Sequence, residues 1–357
     1  MKLFDSYKLG DLELSNRVVM APMTRSRAIG NIPNELMAKY YEQRANAGLI
    51  ITEGIAPSAN GLGYPRIPGL YSEAQVEGWK LVTDAVHQRD GKIFAQLMHT
   101  GRASHPDNME EHTEIVAPSA IGLSGEMWTD QNGLQKYPVP KEMTLDDIAQ
   151  AINEYKNAAI NAIKAGFDGV EIHGANGYLV DQFINPASNK RTDRYGDSIE
   201  NRARFAIEVA KLVAEAIGSD KTGIRFSPYG VFNDQEIFEG IEDTFEYLAK
   251  EMGKLKLAYI HIVDHSSMGA PEVPLSVKLK MKNAFGGTVI ASGGRDAEKA
   301  ETAINSGEGE LVAFGRSFLA NPDLVYRLQN NIELNSPDFD TFYTPGEKGY
   351  TDYPFAQ

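Results

Sequence analysis

Short runs of apolar, mostly β-branched residues recur along the chain, each bounded by turn residues and followed by a stretch in which apolar positions return every three or four residues. Eight such runs stand at 18–21, 49–53, 93–97, 169–172, 223–226, 259–262, 288–291 and 311–314. The intervening segments carry helix start and stop signals. Thr144 with Asp147 three residues on forms a capping box, Ile148, Ile152, Tyr155, Ala159 and Ile163 make one apolar face, and Gly166 is placed to end the helix. Ser72 (with Gln75), Ser198 and Asp296 open further helices, and Asn321 followed by Pro322 reads as a cap with proline in the first helical position. Strand and helix alternating eight times predict a parallel sheet covered on both faces, and eight is the number that closes. An open dinucleotide-binding sheet would show G-x-G-x-x-G after its first strand, whereas residues 21–25 contain no glycine. The expectation is a (β/α)8 TIM barrel.

Most runs are spaced by the ~30 residues of a strand-helix-strand unit. The gap after the third run is far longer, which places a Pro- and Gly-rich capping excursion at 101–142, on the side of the barrel where catalytic sites lie. Residues 1–15 read as an N-terminal hairpin about Gly10-Asp11 that plugs the barrel bottom. The last thirty residues are loop-like, and their Phe339, Phe342, Tyr343, Tyr350, Tyr353 and Phe355 are expected mostly to anchor a wrapping tail. All 357 residues are thereby assigned to a single domain.

Composition narrows the function. Lys and Arg number 35 against 49 Asp and Glu, a net charge of −14 that repels phosphate backbones and argues against nucleic-acid binding. The start of the chain lacks the apolar core of a secretory signal and no apolar run is long enough to span a bilayer, so a cytoplasmic protein without membrane attachment is expected. There is no cysteine, which excludes disulfides, a thiolate nucleophile, Cys-ligated zinc and iron–sulfur clusters. Redox chemistry would have to come from a bound organic cofactor.

Barrels keep their chemistry at the C-terminal ends of the strands. Those positions hold Thr24, Gly54, Gln96, His173, Asn176, Tyr178, Arg225, Gly293-Gly294 and Gly315-Arg316. Glycines after strands seven and eight let backbone N–H groups approach an anion, and Arg316 adds a charge, so these loops form a phosphate site for either a cofactor or a phosphorylated substrate. Thr24, Gln96 and Arg225 supply a hydroxyl, an amide and a fixed cation on separate strands, the set an isoalloxazine ring uses along its pyrimidine edge, which favours flavin mononucleotide. His173 and Asn176 can converge on one substrate oxygen, and Tyr178 brings a phenol that is protonated at neutral pH. His99 and His105 are read as polar loop residues over metal ligands, and no metal site is expected. His261, Asp264 and His265 are read as structural over a catalytic dyad, and Met127 with Trp128 as a lid or as excursion core. Two other classes remain open: a flavin oxidase of α-hydroxy acids, and a lyase or isomerase acting on a phosphorylated metabolite. The second lacks the strand-end lysine or carboxylate cluster it would use.

Residues 16–25 (NRVVMAPMTR), the 173–178 loop (HGANGY), Gln182-Phe183 with 189–193 (NKRTD), Glu200-Asn201-Arg202, 314–316 (FGR), 320–323 (ANPD) and 349–354 (GYTDYP) resemble the Old Yellow Enzyme family of FMN-dependent ene-reductases over essentially the whole chain. The likeness is nearest to its bacterial N-ethylmaleimide, nitrate-ester and morphinone reductase types. The resemblance implies tightly bound FMN, with Thr24 bonding the flavin C4 carbonyl and tuning its potential as part of the catalytic set, Pro22, Met23 and Gly54 near the same edge, Gln96 at the pyrimidine edge, Arg225 on the N1 side, and Gly293, Gly294, Gly315 and Arg316 at the phosphate. It implies NADPH, or NADH, as hydride donor, and an electrophilic alkene as the small-molecule substrate. His173 and Asn176 would hold its oxygen, Tyr178 would donate the proton, and Tyr64, Met98 and Tyr343 would line the pocket. The expected assembly is a monomer or homodimer. Three positions depart from the family pattern: Met98 for a usual Trp, Arg295 for a usual aromatic, and Asn176 where several bacterial relatives have His. The missing cysteines set aside the branches that need an iron–sulfur cluster or place Cys at position 24.

Overall fold

A computed structural model describes residues 1–356. Eight parallel strands, β1 (Val18–Met20), β2 (Leu49–Ile55), β3 (Ile93–Leu97), β4 (Gly169–Gly174), β5 (Thr222–Phe226), β6 (Tyr259–Val263), β7 (Thr288–Ser292) and β8 (Leu311–Phe314), pair in chain order, and β8 closes onto β1. The (β/α)8 barrel read from the hydrophobic pattern is the fold of the chain. Around it lie α1 (Glu35–Glu42), α2 (Glu73–His87), α3 (Leu145–Lys164), α4 (Leu179–Ile184), α5 (Ile199–Ile217), α6 (Ile241–Lys254), α7 (Leu275–Phe285), α8 (Ala297–Asn305), α9 (Arg316–Ala320) and α10 (Leu324–Gln329).

The helix starts are local events. Ser72 with Gln75 and Thr144 with Asp147 both form reciprocal capping boxes, and Ser198 and Asp296 each accept one backbone N–H. Gly166, with φ +87°, follows the end of α3. The cap at Asn321 is different: α10 begins at Leu324, while Asn321 ends α9 and donates its amide to Ser317 O and Asn335 O. Its neighbour Pro322 therefore lies in the connection between two short helices.

Parallel pairing puts alternate residues of every strand inside the ring. Toward the strand starts these are apolar: Val19, Leu49, Ile51, Phe94, Tyr259, Ile290 and Leu311 form one buried cluster. Gly169 and Gly223 make room there, since a Cβ on either would meet the Phe94 or the Tyr259 ring at 2.5 and 2.3 Å. Leu9 and Leu14 of the N-terminal hairpin (Tyr7–Leu9 paired with Leu12–Leu14) complete the same cluster, so the hairpin plugs the barrel bottom. Toward the strand ends the inward residues turn polar, and there the site lies.

The excursion after β3 carries two small sheets, Val116–Ala117 with Lys141–Glu142 and the hairpin Glu126–Thr129 with Gly133–Lys136. Met127 is buried in it and Trp128 is exposed. The tail aromatics differ from expectation: Tyr350 is fully buried, whereas Phe339, Tyr343 and Phe355 are exposed. Arginines do the anchoring instead. Buried Arg25 and Arg27 donate to the carbonyl oxygens of Gly349, Thr341 and Phe342. Tyr350 stacks on Tyr40 at 4.0 Å, with the Arg25 and Arg27 guanidinium groups over its ring.

Candidate active site

One cavity of about 790 Å³ opens at the C-terminal ends of the strands. Pro22, Met23, Thr24, Gly54, Gln96, Met98, His173, Asn176, Tyr178, Arg225, Gly293, Gly294, Gly315, Arg316 and Tyr343 all line it. Tyr64 is the exception. It stands behind Tyr178, accepting a hydrogen bond from the Tyr178 hydroxyl at 3.1 Å with the two rings edge to face.

Register explains the floor. Glu171 lies beside Gln96, and Arg225 lies between His173 and His261 across three adjacent strands. Gln96 Nε2 donates to Glu171 Oε1 at 2.8 Å, which leaves the Gln96 carbonyl oxygen for the cavity, and His261 Nδ1 lies 2.9 Å from Glu171 Oε2. Burial pushes the His261 pKa down, so its Nδ1–H is a neutral donor to the carboxylate. The buried Arg225 Nε has no hydrogen-bond partner. A fixed cation with an unmet donor, beside an amide oxygen and the Thr24 hydroxyl, fits a flat ring that accepts along one edge and gains negative charge there.

The opposite end suits an anion. Gly293 and Gly294 have φ of +142° and +55°, and a Cβ would strike Asp264 O at 2.5 Å or Ser267 Cβ at 2.4 Å, so only glycine carries the chain there. A Cβ at Gly315 would meet nothing nearer than Met23 Sδ at 3.7 Å; its glycine keeps the backbone approachable from the cavity. Arg316 lines the same end, its guanidinium 5.8 Å from the Phe339 ring centroid. Arg295, where the family usually has an aromatic, is paired with Glu308, which with Asp264 also holds Lys278 at 3.2 and 2.9 Å. Gly54 leaves room for the Met98 side chain, since a Cβ there would meet Met98 Sδ at 2.5 Å.

The wall is the loop after β4. His173 Nδ1 accepts the Ala175 N–H at 3.3 Å, which puts its proton on Nε2, and burial beside Arg225 holds its pKa well below the usual imidazole range. His173 is thus a neutral donor. Tyr178 packs edge-on against it, ring centroids 5.0 Å apart, and burial pushes its phenol up to about 12. Asn176 takes a left-handed conformation, φ 62°, which its short amide side chain tolerates. Its N–H donates to Ser227 Oγ at 2.9 Å.

The remaining histidines separate. His99 Nδ1 accepts the Gly101 N–H, His105 caps a turn at Asp107, Asp264 pairs with Lys278, and His265 Nε2 lies 2.7 Å from Asn176 Oδ1. Among the described residues no group of three or more His, Asp or Glu forms a metal site. Glu171 is a site residue that the strand-end positions do not include; its signal in the sequence is a lone carboxylate two residues before His173 in an apolar strand, which faces inward beside it. Phe339 and Phe342, expected as tail anchors, line the cavity. Nothing local marks them.

The fold and site define a barrel built to hold a flat ring cofactor with a phosphate, facing two neutral hydrogen-bond donors and a phenol. A family model described as the NADH:flavin oxidoreductase / NADH oxidase family matches residues 2–335, and the chain belongs to that family of FMN-dependent oxidoreductases. The chain is 39% identical to 12-oxophytodienoate reductase 7 of Oryza sativa subsp. japonica, over 99% of this chain and 94% of the relative. A structure of morphinone reductase in complex with tetrahydroNAD superposes with a TM-score of 0.95 at 41% identity, covering 100% of this chain and 98% of that one. The old yellow enzyme homologue of Zymomonas mobilis superposes with a TM-score of 0.94 at 39% identity, covering 99% of each chain.

Proposed function

We propose that the protein is an FMN-dependent NAD(P)H:enone oxidoreductase that reduces the activated C=C bond of α,β-unsaturated carbonyls, nitroalkenes or maleimides, and also nitrate esters. The observation that carries this reading is the wall: two neutral donors and a protonated phenol share one loop, facing the cradle for the ring. Thr24, Gln96 and Arg225 would hold the flavin ring, with Pro22, Met23 and Gly54 along its edge, and Gly293, Gly294, Gly315 and Arg316 its phosphate. When bound, FMN would supply hydride chemistry for reducing the activated C=C bond, with the nicotinamide nucleotide as its source of reducing equivalents. His173 Nε2–H and the Asn176 amide hold the substrate oxygen and stabilise the negative charge that grows on it as the bond is reduced. Tyr178 gives its proton to the α carbon, and the Tyr64 hydroxyl, 3.1 Å away, then donates to the phenolate that results. Met98 and Tyr343 bound the substrate pocket. We take NADPH as the donor, with NADH the alternative, and the whole chain as one domain acting in the cytoplasm as a monomer or homodimer. Among the described residues no helix is long and apolar enough to cross a membrane.

Rapid-mixing kinetics test the assignment. Tyr178→Phe should leave flavin reduction by NADPH within about twofold of wild type while slowing reoxidation by cyclohexenone ~100-fold or more, the scale of a general-acid contribution. Equal losses in both half-reactions would remove Tyr178 as the proton donor.

A further inference from the structure

An asparagine amide is almost symmetric in shape but opposite in polarity at its two ends, a carbonyl that accepts and an NH2 that donates. Asn176 can stabilise a developing oxyanion only if its Nδ2 end faces the substrate; turned over, its carbonyl would repel that charge. Its backbone is held by the Ser227 hydroxyl and by Asn233 Nδ2, which donates to Asn176 O at 2.8 Å, but neither contact sets the amide. The remaining polar contact is with His265. This residue lies two positions beyond β6, far away in the chain, yet its Nε2 is 2.7 Å from Asn176 Oδ1. His265 is 7% exposed and its ring is braced edge-on by Phe232, ring centroids 4.7 Å apart. Burial and the nearby Arg225 hold its pKa down to about 3, which keeps the imidazole neutral. The amide oxygen Oδ1 can only accept, so the neutral His265 meets it as the Nε2–H tautomer, and this arrangement leaves Nδ2, which has no protein acceptor, for the cavity that Asn176 lines.

We propose that His265 is a positioning residue that locks the Asn176 amide with Nδ2 toward the substrate oxygen, completing with His173 Nε2–H a two-donor oxyanion site. The polarity of each donor is then set by one hydrogen bond: the Ala175 N–H fixes the tautomer of His173, and His265 fixes the amide of Asn176. The inference rests on the enone-reductase reading of the cavity.

The test is calorimetric titration of 4-chlorophenol, whose phenolate mimics the oxyanion, into the FMN-loaded enzyme, alongside reoxidation kinetics with cyclohexenone. His265→Leu and His265→Met fill similar space without an N–H, and His265→Gln restores a donor. Either apolar variant should lose ~10-fold in phenol affinity, the scale of one hydrogen bond to a charged site, and should raise the apparent KM and lower the reoxidation rate together. His265→Gln should recover most of both losses. In an Asn176→Ala background the His265→Leu change should have less than about a twofold further effect, because the group it orients is gone. Undiminished phenol binding by His265→Leu or His265→Met, or the same loss with Asn176 already removed, overturns the proposal. A wild-type holoenzyme that binds no phenol and reduces no enone overturns the enone-reductase reading itself, a result distinguishable from the others.

Discussion

Asp181 shows how much one buried residue close to the 173–178 loop can carry. Its carboxylate accepts the Gly177 N–H at 2.8 Å and so ties down the turn that presents Tyr178. Desolvation outweighs that hydrogen bond and one from Ser227, and pushes the carboxyl up to about 7. An acid whose folded pKa is raised binds its proton more tightly in the folded state. Its contribution to stability is therefore full below the unfolded value of ~3.9 and is lost as pH rises through about 7. Asp181→Asn stays neutral and keeps an acceptor for Gly177. Calorimetric melting from pH 5 to 8 should show wild type losing stability relative to this variant as pH rises; parallel curves would mean that the carboxyl is not protonated in the fold. At this scale the residue types of the site were readable, because His173, Asn176 and Tyr178 crowd into one loop. Their hydrogen-bond polarity was not, since the partners that set it include Arg225, His265 and Tyr64 on other elements.

Among the elements, the capped helices follow from short-range pattern, and the C-terminal segment does not. Arg27 is fully buried without a carboxylate partner. It donates to the carbonyl oxygens of Arg25, Thr341, Phe342, Gly346 and Lys348, and burial with the neighbouring Arg25 brings its pKa down to about 10, which leaves it charged at neutral pH. These bonds fold residues 341–348 against the barrel top and bring Tyr343 to the cavity rim. Arg27→Ala should loosen that segment. Trypsin cleavage after the exposed Lys348 should accelerate at least ~10-fold, the factor for losing one or two such bonds, and the KM for cyclohexenone should rise. Unchanged cleavage would place the anchor elsewhere, with Tyr350. Aromatic spacing suggested buried anchors because such residues are usually core. The tail instead spends four of them, Phe339, Phe342, Tyr343 and Phe355, at the surface or the cavity mouth, and no periodic pattern distinguishes those uses.

For the molecule as a whole, a net charge of −14 coexists with a cavity holding Arg225 and Arg316, so the sign of the total says little about the ligand. The barrel divides instead along its axis, with an apolar plug at one end and chemistry at the other. Leu9 is fully buried in the plug. Leu9→Ala should cost ~2–5 kcal/mol of stability and lower the melting temperature, yet leave the FMN dissociation constant, measured by flavin fluorescence quenching, within about twofold. A large loss of FMN affinity would show that the two ends are coupled. What the sequence determined by itself is what local physics sets: the alternation of strand and helix, their number, the glycines after strands seven and eight, and His173, Asn176 and Tyr178 within six residues. What only the tertiary structure decided are the contacts between distant positions, Glu171 with His261 at a separation of 90 residues, His265 with Asn176 at 89 and Tyr178 with Tyr64 at 114. Those depend on which inward residues share a height once the sheet has closed, and that register is a property of the whole ring, which no local window of residues contains.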